Sequence, residues 1–441
     1  MSERHPTLTE HGQAMLQRLR EHPAAPRYHN ESGNKLSAAD LARVIAHERT
    51  VEQAIIELEQ PAWLDNFVSR CFEHVPYFRD QGSRPASFLD VPTIDRGELA
   101  RDIAQFVPDD VAIDRLINFT TSGTTGHPLW IASHPIVAAS YLAYHKRALR
   151  RFGIELRHGR GQVGVVLLGF QRACFTYVSV TPSMGESGLA KINLHPGDWR
   201  APSDREAYLD ALEPEVIAGD PLSFYELLAL PLRCRPRALL CTSMALRDGL
   251  RERLRARFEC PVLDLYSMNE AGPIAVYDAA VGGHVLLQER LYVEVLDNAG
   301  QPVPLGTRGE ITLSGGFNFC LPLLRYRTGD YAALSFEHGE PVLVGLEGRR
   351  PVRFRTAQGE WLNNLEVSHA LARFAIPQYT LHQAHDGALS LSYRGPERDL
   401  DAILAALRTL FGAGAAISVQ AAARFEGKVR QYTSELDPGA T

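Results

Sequence analysis

A run of small hydroxyl residues and glycines at positions 120–126 is the part of this sequence best suited to holding phosphate. Apolar Ile117 and Phe119 precede the run and Leu129 follows it. Glycines let the backbone turn tightly and bring N–H groups close to a ligand, while hydroxyls add donors. A flexible polar turn would have the same composition, and the Gly-Lys-Ser/Thr ending of a P-loop is missing. The residues are Thr120, Thr121, Ser122, Gly123, Thr124, Thr125 and Gly126.

Three charged residues further along the chain are candidates for the same chemistry. Glu270 closes the segment that begins at Tyr266, Asp330 follows a glycine after an Arg-rich turn, and Lys428 follows a glycine near the C-terminus. Each has an ordinary explanation when it is taken singly. A Glu at a strand end is commonly a surface or capping group, an Asp after Gly forms turns, and a late Lys is commonly solvated. Their meaning therefore depends on their order and on their neighbours.

Composition and charge exclude several classes of protein. The 441 residues are enough for two to three domains with a large core. A net charge of −6 gives no general attraction for nucleic acid or for an anionic membrane. Six cysteines without a Cys-x-x-Cys pair argue against a disulfide framework or a zinc cluster. With no signal peptide and no apolar run of membrane length, the sequence predicts a cytoplasmic protein.

Short apolar runs alternate with helical stretches in the middle of the chain. Strands are predicted at 163–169, 215–219, 237–241 and 261–266, and a helix at 136–152, for which Pro135 suits the first position. This alternation predicts an α/β fold of layered, mostly parallel sheets. Ligands of such sheets bind beyond the carboxyl ends of the strands. The segments at those ends are Thr242 with Ser243, and Tyr266, Ser267, Asn269 and Glu270.

Changes in the pattern of predicted helices and strands divide the chain into three parts. Residues 1–75 are predicted to be a helical N-terminal extension, and residues 76–347 the main domain, with a β-rich subdomain over about 287–330. In residues 348–441, helices are predicted at 365–374 and 397–411 and strands at 389–393 and 417–422. This part is predicted to form a small, mobile C-terminal domain.

The motifs together, in this order, resemble those of the adenylate-forming enzymes: acyl-CoA synthetases, NRPS adenylation domains and luciferases. The phenylacetate–CoA ligase branch is the nearer likeness. Residues 120–128 are similar to the family's Ser/Thr/Gly motif, and Tyr266 with Glu270 to its Tyr-Gly-x-Thr/Ser-Glu motif. Residues 325–330 match the branch's Arg-Tyr-Arg-Thr-Gly-Asp without a mismatch, and Lys428 matches the terminal Gly-Lys motif. The resemblance covers about residues 70–430.

The resemblance implies ATP- and Mg²⁺-dependent activation of a carboxylic acid as an acyl-adenylate, with release of pyrophosphate and then transfer to coenzyme A. Protein groups would position and neutralise the reactants rather than attack them. The implied roles are phosphate binding by Thr120 to Gly126, Mg²⁺ binding by the catalytic Glu270 and ribose binding by Asp330. Tyr266 would flank the adenine, Ser267 and Asn269 would belong to the same nucleotide site, and Thr242 and Ser243 occupy the place of the family's adenine-contacting segment, which they match poorly. The catalytic Lys428 would stabilise charge in the transition state, and Arg349 would lie near the ribose or phosphates.

Departures from the family pattern occur in both parts of the site. In the nucleotide part, Ser267 to Asn269 replace Gly-x-Thr/Ser. More departures fall in the part that serves the second half-reaction. The family has an acidic hinge pair after Gly-Arg, whereas this chain has Pro351 and Val352, and proline fixes φ. The Arg-Gly turn that lines the thioester step is replaced by residues 355–359, in which the glycine is displaced. The acceptor is therefore left open between coenzyme A, an amine and a carrier-protein thiol. A protein that binds nucleotide without full turnover is the remaining alternative.

The acid itself is indicated only by aromatic and polar residues near the predicted helix 136–152 and after the strand 163–169. They favour an aromatic acid, although core packing explains aromatic residues there equally well. A homodimer is implied because the branch commonly forms one. The candidate acid-binding residues are His145, Phe170, Gln171 and Phe175.

Overall fold

The computed structural model describes residues 3–120, 129–171, 174–348, 352–422, 425 and 430–436, without the side chains of Thr120, Asn363 and Leu365. Turn and capping residues set where its elements begin. Pro135 opens one helix, with the His134 side chain accepting from the Ile136 N–H, and Asp220 accepts from Ser223 N at the start of another. Side-chain acceptors at these positions satisfy N–H groups that have no partner within the helix.

The helices of the described residues are α1 Glu10–Glu21, α2 Ala38–Gln53, α3 Trp63–His74, α4 Pro76–Arg79, α5 Arg96–Arg101, α6 Pro135–Arg151, α7 Asp204–Leu212, α8 Pro221–Leu228, α9 Asp248–Phe258, α10 Asn364–Ala372 and α11 Leu400–Phe411. The strands are β1 Ile117–Thr120, β2 Trp130–Ser133, β3 Val163–Gly169, β4 Tyr177–Thr181, β5 Ser187–Asn193, β6 Val216–Gly219, β7 Ala238–Cys241, β8 Val262–Met268, β9 Gly272–Asp278, β10 Gly283–Leu286, β11 Leu291–Leu296, β12 Arg308–Gly315, β13 Leu323–Glu337, β14 Glu340–Gly348, β15 Arg353–Arg355, β16 Trp361–Asn363, β17 Gln378–Gln383, β18 Leu389–Arg394, β19 Ile417–Ala421 and β20 Tyr432–Ser434.

One sheet of 12 described strands runs through the larger part of the molecule, in the order β11-β12-β13-β14-β10-β9-β8-β7-β6-β3-β5-β4. Strands β8, β7, β6, β3 and β5 are mutually parallel, and β4 closes that edge in the antiparallel sense. From β8 onward the neighbours β9, β10, β14, β13, β12 and β11 are antiparallel. The parallel half and the antiparallel half therefore meet at β8, the strand that carries Tyr266.

Helices cover both faces of the parallel half, because its strands are apolar on both sides. Leu239 packs with residues of α1, α7, α8 and α9 on one face, and Leu240 packs with residues of α2 and α6 on the other. The antiparallel half has its own apolar cluster, which also includes Leu129, Ile131 and Tyr326.

A smaller unit follows β14. Its strands form the pair β15-β16 and a sheet in the order β19-β18-β17-β20, and α10 and α11 pack with that sheet around a separate cluster that includes Phe354, Leu381 and Leu407. The helices predicted at 365–374 and 397–411 correspond to α10 and α11, and the strands predicted at 389–393 and 417–422 to β18 and β19.

The predicted α/β fold is confirmed, with one large mixed sheet in which β8, β7, β6, β3 and β5 form the parallel part. The segment predicted as a subdomain over 287–330 continues the main sheet, and its strands extend to Gly348. Backbone pairing between β8 and β9 joins the two halves, and such pairing leaves no compositional signal. In the part of the chain that is described, no helix combines the length and the hydropathy needed to cross a membrane.

Candidate active site

The hydroxyl of Tyr266 joins the end of the parallel half to the Arg-rich motif. Tyr266 lies near the carboxyl end of β8, and its hydroxyl donates to Asp330 Oδ2 on β13 at 2.8 Å. Burial and the neighbouring Asp330 carboxylate raise the pKa of Tyr266 well above its usual range. The phenol therefore stays a donor at physiological pH and fixes the orientation of the Asp330 carboxylate.

A second phenol holds the second candidate carboxylate. Glu270 is 3% exposed, and its Oε1 accepts from the hydroxyl of fully buried Tyr326 at 2.7 Å. Arg96 at the start of α5 lies 3.8 Å from the same oxygen through Nη1. Burial and the Glu270 charge raise the pKa of Tyr326 well above its usual range. Each of the two candidate carboxylates therefore accepts a hydrogen bond from a tyrosine of the other's segment. Tyr266 precedes Glu270 and binds Asp330, whereas Tyr326 precedes Asp330 and binds Glu270.

The motif 324–330 explains how Arg96 reaches this place. The backbone of Ile94 pairs with β13, donating to the Arg325 carbonyl at 3.1 Å and accepting from the Arg327 N–H at 2.8 Å. The Arg325 side chain is itself 2% exposed and donates to the carbonyls of Leu89 and Val91, each at 2.8 Å. The first arginine of the motif therefore anchors the chain before α5 rather than facing a ligand.

The loop predicted to bind phosphate is described only at its two ends, Thr120 and Leu129. Residues 121–128 lie outside the described residues, so Thr121, Ser122, Gly123, Thr124, Thr125 and Gly126 stay predictions. Thr120 pairs with Trp130 in the antiparallel strands β1 and β2, which the loop connects. Leu129 and Ile131 are buried in the same apolar cluster as Ala271 and Tyr326, the neighbours of Glu270 in sequence and in space. The strand that follows the loop therefore packs in the same apolar cluster as the neighbours of Glu270.

The predicted adenine segment lies at the same carboxyl end of the parallel strands as Tyr266. Thr242 follows β7 and donates its N–H to the Gly219 carbonyl at 2.9 Å, and β7 is the parallel neighbour of β8. Ser243 has a φ of +71°, a conformation that non-glycine residues adopt rarely and mainly in tight turns. Of the remaining nucleotide residues, Ser267 is half-buried on β8, and the exposed Asn269 accepts a hydrogen bond at its carbonyl from the Tyr141 hydroxyl at 3.0 Å.

The four candidate acid-binding residues are not brought together. His145 lies on α6, which packs on one face of the sheet, and burial lowers its pKa to about 4. Phe170 packs against the cluster on the opposite face, with the Arg394 guanidinium 4.9 Å from its ring centroid. Gln171 and Phe175 are exposed. The spacing along the chain could not distinguish the two faces, since Phe170 follows the strand and could turn either way.

Besides the loop, the predicted residues Arg349 and Lys428 lie outside the described residues, but each has described neighbours in the sequence. Arg349 follows Gly348, whose backbone pairs with Asp330; a Cβ on Gly348 would lie 3.2 Å from Asp330 Oδ1. Lys428 precedes β20 by four residues, and β20 pairs in parallel with β17 of the smaller unit. Sequence reasoning missed Arg96 and Tyr326 as partners of Glu270, although Tyr326 stands inside the recognised motif.

A cavity of about 400 Å³ lies beside the amino ends of β6 and β7, at the opposite end of the parallel strands from Tyr266. It is lined by Asp210 and Glu215, whose carboxylates are already paired with Arg233 and Arg237. Among the described residues, no group of three or more His, Cys, Asp and Glu side chains is arranged to hold a metal ion. Glu270 is accordingly a single carboxylate, which is suited to an ion that takes its other ligands from phosphates and water.

The mixed α/β fold, with Tyr266 on β8 hydrogen-bonded to Asp330 on β13, agrees with the fold expected of an adenylate-forming enzyme. The family model described as AMP-binding enzyme matches residues 41–319. The chain belongs to this family.

Comparison with solved structures gives the same fold. A 2-hydroxyisobutyryl-CoA ligase in the postadenylation state, in complex with 2-HIB-AMP, superposes with a TM-score of 0.61 at 18% identity, covering 91% of each chain. The same ligase in the thioesterification state, with 2-HIB-AMP and CoA, gives a TM-score of 0.51 at 19% identity over 90% of each chain. No match is found among the curated proteins.

Proposed function

We propose that this protein activates a carboxylic acid with ATP and Mg²⁺, forming an acyl-adenylate and releasing pyrophosphate, and then passes the acyl group to coenzyme A. The observation that carries the proposal is the pair of hydrogen bonds Tyr266–Asp330 and Tyr326–Glu270 at one place in the sheet. One carboxylate could accept hydrogen bonds from the ribose of a nucleoside triphosphate, and the other could bind the Mg²⁺ that its phosphates share.

In the proposed first step, an oxygen of the substrate carboxylate bonds to the α-phosphorus of ATP while the bond to the pyrophosphate oxygen breaks. Asp330, oriented by Tyr266, would accept hydrogen bonds from the ribose hydroxyls. Lys428 and Arg349 would offset the negative charge that builds up between the carboxylate and the α-phosphate, and the hydroxyls and N–H groups of residues 120–126 would hold the remaining phosphates.

Glu270 is the residue that would hold Mg²⁺. Its carboxylate is buried and accepts a hydrogen bond from Tyr326. A single carboxylate fits an ion that takes its other ligands from phosphate oxygens and water. When bound, such an ion would neutralise phosphate charge. Arg96, 3.8 Å from Glu270, would supply a fixed positive charge at the same edge.

Coenzyme A is the acceptor that we favour, because the ligase with the same fold is described in complex with CoA. The alternative acceptor is an amine or a carrier-protein thiol. It is motivated by Pro351, which replaces the acidic hinge residue, and by the turn between β15 and β16, where Gly359 adopts a φ of +86° four residues after Arg355. Offering coenzyme A, amines and carrier protein in turn to the preformed adenylate separates these cases.

The finer assignments rest on the resemblance and on the composition of the chain. The Arg-Tyr-Arg-Thr-Gly-Asp motif supports the phenylacetate–CoA ligase branch, and with it a homodimer and a C-terminal domain from residue 348 that moves between half-reactions. The cytoplasmic location is proposed from the cysteine pattern and the absence of an apolar run of membrane length, and an aromatic acid from the aromatic residues. Phe170 and Phe175 are compatible with an aromatic acid but do not share a described pocket.

Pyrophosphate exchange into ATP, measured over a panel of aryl and aliphatic acids, tests the proposal. Exchange that depends on one class of acid supports an adenylating enzyme and names its substrate. Absence of exchange with every acid, together with measurable ATP binding, would instead identify a nucleotide-binding protein that does not turn over.

A further inference from the structure

A group of hydrogen bonds around Ser368 connects the smaller C-terminal unit to the main sheet. The Arg247 Nη1, from the residue that caps α9, donates to the Ser368 carbonyl at 3.3 Å. The Ser368 hydroxyl donates to Glu347 Oε1 at 2.8 Å and lies 2.6 Å from the Tyr432 hydroxyl oxygen. Three elements, α9, β14 and β20, therefore meet on one residue of α10.

Arg247 is enclosed by the C-terminal unit. Its guanidinium carbon lies 4.8 Å from the centroid of the Tyr379 ring, a distance at which a cation is attracted by the ring face. Burial alone lowers the pKa of Arg247, but Tyr379, Tyr432 and Glu347 outweigh it and the pKa is raised. A charged guanidinium between two phenols and a carboxylate is a specific contact, because removal would leave buried polar groups without a partner.

Gly249, two residues further on, lies where the backbones of the two units come close together. A Cβ at this position would lie 2.4 Å from the Arg373 carbonyl oxygen, 2.4 Å from the Phe374 carbonyl carbon and 2.7 Å from the Ala375 nitrogen. These are backbone atoms, which cannot turn aside as a side-chain tip can. The interface therefore admits only glycine at the start of α9 as long as the C-terminal unit keeps this orientation.

We propose that Arg247 and Gly249 form a latch that fixes the orientation of the C-terminal unit, so that Arg247 acts as a positioning residue for the adenylation half-reaction. The link runs from Arg247 through Ser368 to Tyr432, at the first residue of β20 and four residues after Lys428 in the sequence. On the other side Arg247 follows the predicted adenine residues Thr242 and Ser243 by only a few positions. This inference rests on the proposed role of Lys428 in adenylate formation.

The physical half of the proposal can be tested without a substrate. Nitroxide labels on cysteines introduced at exposed Glu252 and Asp401, with half-buried Cys174 replaced by serine, report the distance between the two units. We expect one narrow distance distribution in the parent protein, and a broadened or displaced one in Arg247→Ala and in Gly249→Ala. Distributions that superpose on the parent in both variants would overturn the latch, whatever the protein's activity.

The chemical half is tested by separating the two half-reactions. Arg247→Ala and Gly249→Ala should each slow acid-dependent pyrophosphate exchange about tenfold or more, while use of a preformed adenylate changes by less than about threefold. Arg247→Lys, which keeps the charge but not the planar group, should recover part of the exchange. Alanine is a better helix former than glycine, so a loss in Gly249→Ala does not reflect a weakened α9.

Arg253→Ala, at an exposed position of the same helix, is the matched control and should leave both half-reactions unchanged. Equal losses in both half-reactions, in step with the melting temperature, would reduce Arg247 to a structural residue and overturn the proposal. So would a loss confined to adenylate use. Absence of exchange in the parent protein would refute the proposed function instead, and the distance measurement would then decide the latch alone.

Discussion

Replacing Asp330 with asparagine tests the nucleotide site most specifically. The substitution keeps the shape of the side chain and a carbonyl oxygen for the Tyr266 hydroxyl, which donates to Asp330 Oδ2 at 2.8 Å. It removes the negative charge and one acceptor, so a ribose hydroxyl that the carboxylate accepted would lose its charge-assisted partner. Hydrogen bonds to charged groups contribute about 1.5–3 kcal/mol, so we expect ATP to bind about 10- to 100-fold more weakly.

Titration calorimetry with ATP and with 2′-deoxy-ATP measures this effect and assigns it to the ribose. The parent protein should prefer ATP, and Asp330→Asn should lose most of that preference. Tyr266→Phe, which releases the orientation of the carboxylate, should weaken ATP binding in the parent but add little in the Asp330→Asn background, because the two residues act as one unit.

Glu337→Gln, at the far end of the same strand, serves as the control and should bind both nucleotides like the parent. An unchanged preference for ATP over 2′-deoxy-ATP in Asp330→Asn would refute the ribose assignment, even if overall affinity fell.

Four further predictions concern the metal, the catalytic lysine and two buried charges. Glu270→Gln should raise the Mg²⁺ concentration needed for half-maximal activity, and a normal metal response would contradict its role. Lys428→Ala should suppress adenylate formation by orders of magnitude while a preformed adenylate is still used, as measured by exchange and by single-turnover transfer. Burial raises the pKa of Asp264 to about 6. Between about pH 4 and 6 the folded protein keeps a proton on this carboxyl group that the unfolded chain has lost, so the free energy of unfolding falls as the pH rises. Asp264→Asn should remove that decline, about 2–3 kcal/mol across this window by denaturant unfolding, and parallel curves would refute it. Arg325→Ala should cost about 3–5 kcal/mol of unfolding free energy, because it leaves Glu294, 5% exposed, without its cation; a loss below about 1 kcal/mol would show that Glu294 is not dependent on the pair.

The strands of the parallel half could be predicted closely from the sequence because their signal is local. The run predicted at 163–169 is β3, and those at 215–219 and 237–241 begin within one residue of β6 and β7. Apolar runs between turn residues carry their own boundaries. The predicted strand at 261–266 extends two residues further, to Met268, because its continuation pairs with β9, and that partner lies beyond the local pattern.

The sequence predicted the carboxylates of the candidate site, but not the side chains and carbonyl groups that interact with the site residues. Asp330 and Glu270 stand out through motifs, whereas Arg96 reaches Glu270 only because Ile94 pairs with the backbone of β13 some 230 positions away in the sequence. The role of Arg325 was equally hidden, since a motif arginine at a nucleotide site suggests a ligand contact and not a buried anchor. Its burial depends on carbonyl groups of residues 89 and 91, which no periodicity reveals.

Hydrogen–deuterium exchange with and without ATP and Mg²⁺ tests most directly whether one nucleotide cleft unites the distant segments. We expect joint protection of the peptides containing residues 120–129, the end of β8 with Glu270, and the Asp330 region of β13. Protection confined to one of these segments, or centred on the cavity at Glu215 and Arg237, would contradict it.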